Sequence, residues 1–315
     1  MSLALVFPGQ GSQSVGMLAG LASAYPIIRA TFAEASGALG YDLWQRVAEG
    51  PAEQLNQTEC TQPAMLAAGV ATWRLWQEQG GAAPACVAGH SLGEFTALVC
   101  AGALEFTPAI TLVRERGRLM QTAVPAGGGA MAAILGLDDA AAEAACAEAA
   151  QGEVVEAVNY NAPGQIVIAG QAAAVERAIA AAKARGAKRA VTLPVSVPAH
   201  SSLMRAAGAR LQERLAALTL RAPQLPYISA VDAAEHHAAE EIRALLVRQL
   251  ASPVRWSATV LALTARGATV LAECGPGKVL TALNRRIERR AEIQACAIED
   301  PATLQAALAA ARSAH

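Results

Sequence analysis

The stretch that decides the fold is ACVAGHSLGEFTALVC at residues 85–100, where an apolar run meets a glycine-bounded turn and a helical pattern follows. Ala85–Ala88 is apolar and stops at Gly89, which predicts a buried strand. Residues 92–103 predict a helix. A strand that runs through a tight turn into a helix is the repeating unit of a parallel sheet. This stretch therefore predicts an α/β fold.

Composition favours a large core and excludes several classes of partner. Hydrophobic residues make up 54% of the 315-residue chain and charged residues 16%, so we expect one domain with an inserted subdomain. The net charge of −1 argues against nucleic acid. The six cysteines show no C-x-x-C spacing, which favours free thiols. With no signal-peptide pattern and no transmembrane-length stretch, we expect a cytoplasmic protein without a membrane partner.

After a glycine-rich break at residues 125–129, the pattern changes to six short segments. They follow the order strand, helix, strand, strand, helix, strand, which is the ferredoxin-like pattern. The segments are Ala130–Leu137, Asp138–Gln151, Val154–Asn159, Gln165–Ala169, Ala172–Ala184 and Arg189–Val195. We therefore predict a large α/β-hydrolase-like domain with a parallel sheet core, residues 1–125 and 198–315, and an inserted ferredoxin-like subdomain, residues 126–197.

Other patterns predict the elements of the large domain. Leu3–Phe7 is an apolar run stopped by Pro8, which predicts a strand. Thr107 and Pro108 predict the N-cap and first residue of a helix that ends near Ala123. Further segments are a helix over Ala64–Gln79, a helix that ends at Gln249, a strand over Val270–Glu273 and a turn at Gly275–Lys278 into a last helix.

Ser91 stands in a G-x-S-x-G pattern, between Gly89 and Gly93. In a strand–turn–helix setting this pattern lifts a serine hydroxyl to the tip of a strained turn. The glycines are needed because side chains there would collide with the neighbouring strand and helix. The backbone N–H of Leu92 points at the same space and is suited to stabilise an oxyanion. The alternative is a tight glycine turn with an incidental serine.

A serine nucleophile usually needs a histidine base, and elimination leaves His200. His90 adjoins Ser91, so its side chain should project away from the hydroxyl. His236 and His237 lie in the polar stretch AAEHHAAEE and are expected to be solvated, and His315 ends the chain. The alternative for His200 is a structural histidine. No obvious acid completes a triad, since Asp138 and Asp139 fall at a helix start. A backbone carbonyl or an amide side chain is the alternative group to orient the ring.

Arg116 falls on the apolar face of the predicted helix 107–123, together with Leu112, Val113 and Met120. An arginine that faces the interior needs an anion. One reading is a buried ion pair with Glu94 or Glu115; the other is a fork for a substrate carboxylate. The sequence alone leaves the two readings open.

Six motifs in order together resemble the malonyl-CoA:acyl carrier protein transacylases. They are FPGQGSQ at 7–13, GHSLGEF at 89–95, RERGRLMQ at 114–121, VPAH at 197–200, VRQL at 247–250 and GPGKVL at 275–280. The resemblance implies that Ser91 is acylated, that His200 is its base and that Arg116 binds the malonyl carboxylate.

The resemblance also assigns supporting roles around the serine. It implies that the N–H groups of Gln10 and Leu92 form the oxyanion hole and that Gln249 is a site residue, with a nearby carbonyl orienting the histidine. It implies ping-pong transfer from malonyl-CoA to the phosphopantetheine thiol of a carrier, with no cofactor and no metal. VPAH resembles the form of its motif found in fatty acid synthesis. We expect a monomer.

An acyl carrier protein is typically acidic, so a basic docking surface is expected. The candidates are Lys183, Arg185, Lys188 and Arg189 in the subdomain, and Arg285, Arg286, Arg289 and Arg290 in the predicted last helix. Three alternatives remain: a serine thioesterase, a non-catalytic acyl-CoA or carrier-binding protein, and a malonyl transferase that serves a polyketide or malonate decarboxylase carrier.

Overall fold

The computed structural model describes residues 2–195 and 197–313. The first part of the chain forms two strands and seven helices. They are β1 (Ser2–Phe7), α1 (Ala19–Ala24), α2 (Pro26–Leu39), α3 (Leu43–Glu49), α4 (Ala52–Leu55), α5 (Thr58–Glu78), β2 (Cys86–Gly89), α6 (Gly93–Cys100) and α7 (Phe106–Gln121).

The middle of the chain follows the predicted strand–helix–strand–strand–helix–strand order. Its elements are β3 (Gly129–Leu135), α8 (Asp139–Ala150), β4 (Val155–Ala162), β5 (Gln165–Gln171), α9 (Ala172–Ala184) and β6 (Arg189–Thr192). They form a four-stranded antiparallel sheet in the order β4-β5-β3-β6. Small alanine, valine and isoleucine side chains fill a core of its own under α8 and α9.

The remaining elements complete a second sheet. They are a 3₁₀ turn (Ser202–Met204), α10 (Arg205–Ala216), β7 (Tyr227–Ile228), β8 (Glu235–His236), α11 (Ala239–Gln249), α12 (Trp256–Ala265), β9 (Ala268–Cys274), α13 (Val279–Ile287), β10 (Gln294–Ile298) and α14 (Pro301–Ser313). The sheet has the order β10-β9-β1-β2-β7-β8, and all neighbours are parallel except β7 and β8.

The parallel sheet places two loops side by side. Its central strands β1 and β2 are buried on both faces, as expected for apolar runs covered by helices. Phe7 pairs with Gly89 in register, so both strands end at the same edge. The loops that follow, residues 8–13 and 90–92, therefore meet there. Ligands of parallel α/β sheets bind outside this carboxyl edge.

A backbone link joins the two sheets. Tyr160 in β4 donates its N–H to the carbonyl of Val254 at 2.9 Å, and the Val254 N–H bonds to the carbonyl of Val158 at 2.9 Å. Val254 lies just before α12, which packs on the parallel sheet.

No helix among residues 2–195 and 197–313 is long and apolar enough to cross a bilayer.

Several predicted boundaries were wrong. Helix α7 begins at Phe106 behind the N-cap Glu105, and not at Pro108, because burying Phe106 draws the first turn onto the core. Helix α5 begins six residues earlier than predicted and contains Pro63. The turn at 275–278 leads into α13, but this is not the last helix, since β10 and α14 follow.

Candidate active site

The turn after β2 holds Ser91 in a strained backbone conformation. Its φ is 53°, in the left-handed region that non-glycine residues rarely adopt. A Cβ added at Gly89 would lie 1.9 Å from the carbonyl carbon of Gly93, and one added at Gly93 would lie 2.0 Å from the carbonyl oxygen of Phe7. The two glycines are therefore required by close packing of strand, turn and helix, as the sequence predicted.

The structure brings Ser91 and His200 together. Ser91 Oγ lies 2.7 Å from His200 Nε2. His200 is 3% exposed and has a φ of 67°, so it too sits in a strained conformation. It lies after β6, where the chain returns from the antiparallel sheet to α10.

A backbone carbonyl orients the imidazole, in place of an acid. His200 Nδ1 lies 2.8 Å from the carbonyl oxygen of Gln249, the last residue of α11. The carbonyls in the last turn of a helix lack intrahelical partners, and the residue four positions later, Pro253, has no N–H to offer. Because Nδ1 must donate to this carbonyl, Nε2 is the acceptor that faces Ser91.

Arg116 is buried, with 1% of its surface exposed, and its partners are neutral oxygens. Nη1 donates to Gln62 Oε1 at 2.9 Å, and Nη2 donates to Gln249 Oε1 at 2.9 Å and to Ser91 Oγ at 3.3 Å. Its Nε is buried and has no hydrogen-bond partner among the described residues.

The ion pair considered from the sequence is absent from the described part of the chain. No carboxylate lies within 4.0 Å of the Arg116 guanidinium among residues 2–195 and 197–313. Glu115 instead pairs with Arg118 at 2.7 Å and with Arg214 at 3.5 Å. A buried guanidinium bonded only to neutral groups keeps an uncompensated positive charge, so binding an anion would stabilise it.

Gln249 contacts Ser91, His200 and Arg116, and these four residues form the site cluster. Its carbonyl oxygen faces His200, its Oε1 accepts from Arg116, and its Nε2 donates to the carbonyl of Ser91 at 3.0 Å. The same Nε2 also bonds to Glu94 Oε2. Gln249 is 1% exposed, so its amide orientation is set by these partners and not by water.

Burial sets the electrostatics of the cluster. Burial, reinforced by the positive charge of Arg116, lowers the pKa of His200 from 6.5 to about 3, so the neutral imidazole is the stable form. Burial also lowers the pKa of Arg116 to about 10, a change opposed by Glu94. Burial raises the pKa of Glu94, although its hydrogen bonds act in the opposite direction.

Of the two backbone amides named from the resemblance, that of Leu92 belongs to the serine turn and that of Gln10 to the loop beside it. The loop of Gln10 approaches the turn so closely that a Cβ on Gly9 would lie 2.4 Å from the carbonyl oxygen of His90. Neither the N–H of Gln10 nor that of Leu92 donates a hydrogen bond to any residue that the structure describes. The Gln10 side chain donates from Nε2 to Thr58 Oγ1 at 3.4 Å.

The other histidines have separate partners. His90 Nε2 lies 2.9 Å from Asn161 Oδ1, away from Ser91, as predicted. The expectation that His236 is solvated was wrong: it is 7% exposed because Asp232 and Glu241 enclose it at 3.1 and 2.8 Å. His237 is exposed, and His315 lies outside the described residues.

The sequence missed Gln62. It lies near the start of α5, before Ala64, where the pattern began the helix, and it is 1% exposed. A polar side chain directly before the apolar run PAML was the available signal. Its Nε2 contacts Met120 Sδ at 3.3 Å, which leaves Oε1 for Arg116.

Known proteins resemble the chain over nearly its whole length. The acyl transferase domain model matches residues 4–300. A malonyl CoA-acyl carrier protein transacylase of Escherichia coli (strain K12) is 57% identical over 305 residues, 97% of this chain and 98% of the relative.

Solved structures agree in fold. An acyl carrier protein S-malonyltransferase from Vibrio cholerae O1 biovar eltor has a TM-score of 0.94 at 56% identity, covering 97% of this chain and 99% of that one. A malonyl-transacylase solved in complex with its type II PKS acyl-carrier protein has a TM-score of 0.96 at 55% identity, covering 98% and 99%.

Proposed function

The chain belongs to the malonyl-CoA:acyl carrier protein transacylases of the acyl transferase family, and from this membership we propose that it moves malonyl groups from CoA to a carrier thiol by a ping-pong mechanism. One observation carries the proposal. Ser91 Oγ is within hydrogen-bond distance of both His200 Nε2, at 2.7 Å, and Arg116 Nη2, at 3.3 Å. A nucleophile, a base and a buried cation thus meet at one atom.

In the first half-reaction His200 Nε2 takes the proton of Ser91, and Oγ attacks the thioester carbonyl. The N–H groups of Gln10 and Leu92 receive the oxyanion that forms. The C–S bond then breaks, and His200 returns its proton to the CoA thiolate. The Gln249 carbonyl holds the imidazole in the tautomer that this step needs and stabilises its charged form.

Arg116 selects the acyl group by its carboxylate. Three of its N–H groups donate to Gln62, Gln249 and Ser91, and the buried Nε remains without a partner among the described residues. A malonyl carboxylate supplies the anion that this guanidinium lacks. An acetyl group would leave the buried charge unpaired, which is costly.

In the second half-reaction His200 deprotonates the phosphopantetheine thiol, which attacks the malonyl-serine ester. The carbon–oxygen bond to Ser91 breaks, and His200 returns the proton to Oγ. The chain needs no cofactor of its own in this scheme, because CoA and phosphopantetheine arrive with the substrates. Transfer outcompetes hydrolysis only if water is kept from the ester.

The carrier surface that we favour is the basic patch beside β6. Lys183, Lys188 and Arg189 are exposed and form no ion pair with any described residue, whereas Arg185 pairs with Glu148. Charge reversal at Lys188 that left the KM for the carrier unchanged would argue against this patch.

The second basic group is more occupied by contacts within the chain. Arg285 donates to the carbonyl of Ala295 and Arg286 to Gln165, and Arg290 pairs with Glu288. The neutral acceptors of Arg285 and Arg286 leave both charges intact but hold the two side chains in place. Arg290 is neutralised by Glu288, whereas the side chains beside β6 that have no described ion-pair partner can reorient toward a carrier. This comparison supports the patch beside β6.

The finer description of the architecture also stays a proposal. The strand order β4-β5-β3-β6 with two helices on one face supports a ferredoxin-like subdomain at 126–197, and the serine turn after β2 supports a hydrolase-like large domain at 1–125 and 198–315. A monomer in the cytoplasm is the expected form, and the six free cysteines agree with a reducing compartment.

Fatty acid synthesis is the pathway that we propose. A polyketide carrier is the main alternative acceptor, since one solved relative is bound to such a carrier. Assays with carriers of both kinds discriminate between them. A malonate decarboxylase carrier would be tested in the same way.

Release of CoA in the absence of any carrier tests transfer against hydrolysis. Malonyl-CoA is mixed with the protein and free CoA is followed with time. A single burst that matches the number of active sites supports a transferase. Continuous turnover would identify a thioesterase instead, and no release at all would favour a non-catalytic binding protein.

A further inference from the structure

Glu94 is a buried carboxylate beside the site for which the proposed mechanism has no use. It lies in the first turn of α6, three residues after Ser91, and is 1% exposed. No cation lies within ion-pair distance of it among the described residues. A fully buried carboxylate without an ion pair is costly to keep, so its surroundings should reveal what it does.

Every partner of Glu94 arrives as a donor. Oε1 accepts from the hydroxyl of Tyr227 at 2.5 Å and from the N–H of Ala230 at 2.9 Å. Oε2 accepts from Nε2 of Gln249. A carboxylate can only accept hydrogen bonds, and here two donors reach Oε1 and one reaches Oε2.

The bond to Gln249 fixes which end of that amide faces which neighbour. Nε2 is drawn to Glu94 and to the carbonyl of Ser91, so Oε1 must face Arg116, from which it accepts at 2.9 Å. If the amide were reversed, its NH₂ would oppose the Arg116 donors and its oxygen would oppose two acceptors. The amide orientation thus depends on Glu94.

We propose that Glu94 is a positioning residue that sets the orientation of the Gln249 amide and, through it, holds Arg116 where a dicarboxylic acyl group binds. The inference rests on the proposed function, because the malonyl carboxylate is the ligand whose selection it affects. Glu94 itself does not touch the substrate in this scheme.

The isosteric change Glu94→Gln keeps the side-chain shape at position 94 and alters only its hydrogen-bonding groups, so it tests the orientation of the Gln249 amide. A glutamine that keeps its oxygen toward Tyr227 and Ala230 must point its NH₂ at the Gln249 NH₂. Either that donor–donor contact persists or the Gln249 amide reverses and opposes Arg116. Reversal of residue 94 itself is disfavoured, because its NH₂ would then oppose the Ala230 N–H, a backbone donor that cannot turn away, whereas the Gln249 side chain can rotate. Each arrangement leaves a buried donor unpaired.

The test compares kcat/KM for malonyl-CoA with that for acetyl-CoA, both measured by acylation of the serine in one sample. This ratio does not depend on the folded fraction, so general destabilisation does not move it. Glu94→Gln is expected to lower the ratio at least about fivefold, the effect of one unpaired buried polar group. Tyr227→Phe is the matched control, since it removes a donor on the far oxygen and should leave the ratio unchanged.

A double variant tests whether the effect passes through Arg116. In an Arg116→Ala background, Glu94→Gln should change the ratio no further. An unchanged ratio in Glu94→Gln alone would overturn the inference, as would an equal additional fall in the double variant. A wild-type protein that accepts no malonyl group would instead reject the proposed function.

Should Glu94→Gln give no folded protein, Glu94→Asp provides the second test. Aspartate remains acceptor-only, so the ratio is expected to stay within about threefold of the wild-type value. A fall to the value of Arg116→Ala would contradict a role based on acceptor character.

Discussion

Ser91 Oγ lies 2.7 Å from His200 Nε2, although 109 positions separate the two residues along the chain. Ser91 lies just after the end of β2 in the parallel sheet, and His200 lies in the segment that leads from the antiparallel sheet to α10. Both residues have positive φ, so the fold around them holds two strained residues in mutual contact. Strain of this kind is typical of catalytic groups.

Replacing the base should remove most of the acylation rate. His200→Ala is expected to lower the rate of serine acylation by malonyl-CoA at least about 10³-fold, because within residues 2–195 and 197–313 His200 Nε2 is the one proton acceptor within hydrogen-bond distance of Ser91 Oγ. Rapid-quench measurement of the acyl-enzyme checks this. The exposed His237, changed to alanine, is the matched control and should keep the wild-type rate; a near-normal rate in His200→Ala would refute its role as base.

Removing the guanidinium should remove selectivity. Arg116→Ala is expected to reduce the malonyl-to-acetyl ratio of kcat/KM at least about 100-fold, since the variant no longer leaves a buried charge unpaired with acetyl. Arg116→Lys keeps the charge without the planar fork and should give an intermediate ratio. Equal ratios in the wild type and Arg116→Ala would rule out carboxylate binding by Arg116.

The lowered pKa of His200 predicts the pH profile. Burial and the Arg116 charge lower this pKa to about 3, so the neutral base persists as the pH falls through 6.5. The kcat/KM for acetyl-CoA should therefore show no acid limb at 6.5. In Arg116→Ala the loss of a nearby positive charge raises the pKa of His200, so the acid limb should move to higher pH. A wild-type limb at 6.5 would contradict the burial argument.

The same shift requires a control for stability. The unfolded chain binds a proton at His200 below pH 6.5, whereas the folded chain binds it only near 3. This histidine therefore lowers the free energy of unfolding as the pH falls through that window. Rates at each pH should be divided by the folded fraction measured by circular dichroism.

The serine turn should not tolerate a methyl group at Gly93. A Cβ there would lie 2.0 Å from the Phe7 carbonyl oxygen, so Gly93→Ala is expected to cost about 3 kcal/mol of unfolding free energy. Gly37 in α2 is the control: nothing lies within 4 Å of its Cβ position, and Gly37→Ala should stabilise the protein by about 0.5 kcal/mol. Urea titration measures both values, and equal stability of the two variants would contradict the predicted clash.

Local patterns in the sequence predicted the main elements well. The strand before Gly89 and the order of the six elements between Gly129 and Thr192 follow from short apolar runs and helical spacing, which depend on neighbours in the chain. Boundaries failed where tertiary packing decides them. Phe106 extends α7 because its ring finds a place in the core, which no local pattern records.

The site was predictable only in part. Local patterns predicted Ser91 as a nucleophile and the position of Arg116 on the apolar face of its helix, whereas His200 was chosen by elimination among the histidines. The role of the Gln249 carbonyl depends on a contact 49 residues away, between the end of α11 and His200. Gln62 and the bonds of Glu94 to Tyr227 and Gln249 join distant segments, so only the assembled fold shows them.

Intact-mass spectrometry of the acid-quenched protein after exposure to malonyl-CoA tests the central claim most directly. We expect one malonyl adduct on the wild type, located on Ser91 by peptide mapping, that disappears when a phosphopantetheinylated carrier is added. Ser91→Ala should carry no adduct. A wild type without the adduct, or an adduct of equal yield on Ser91→Ala, would contradict the account.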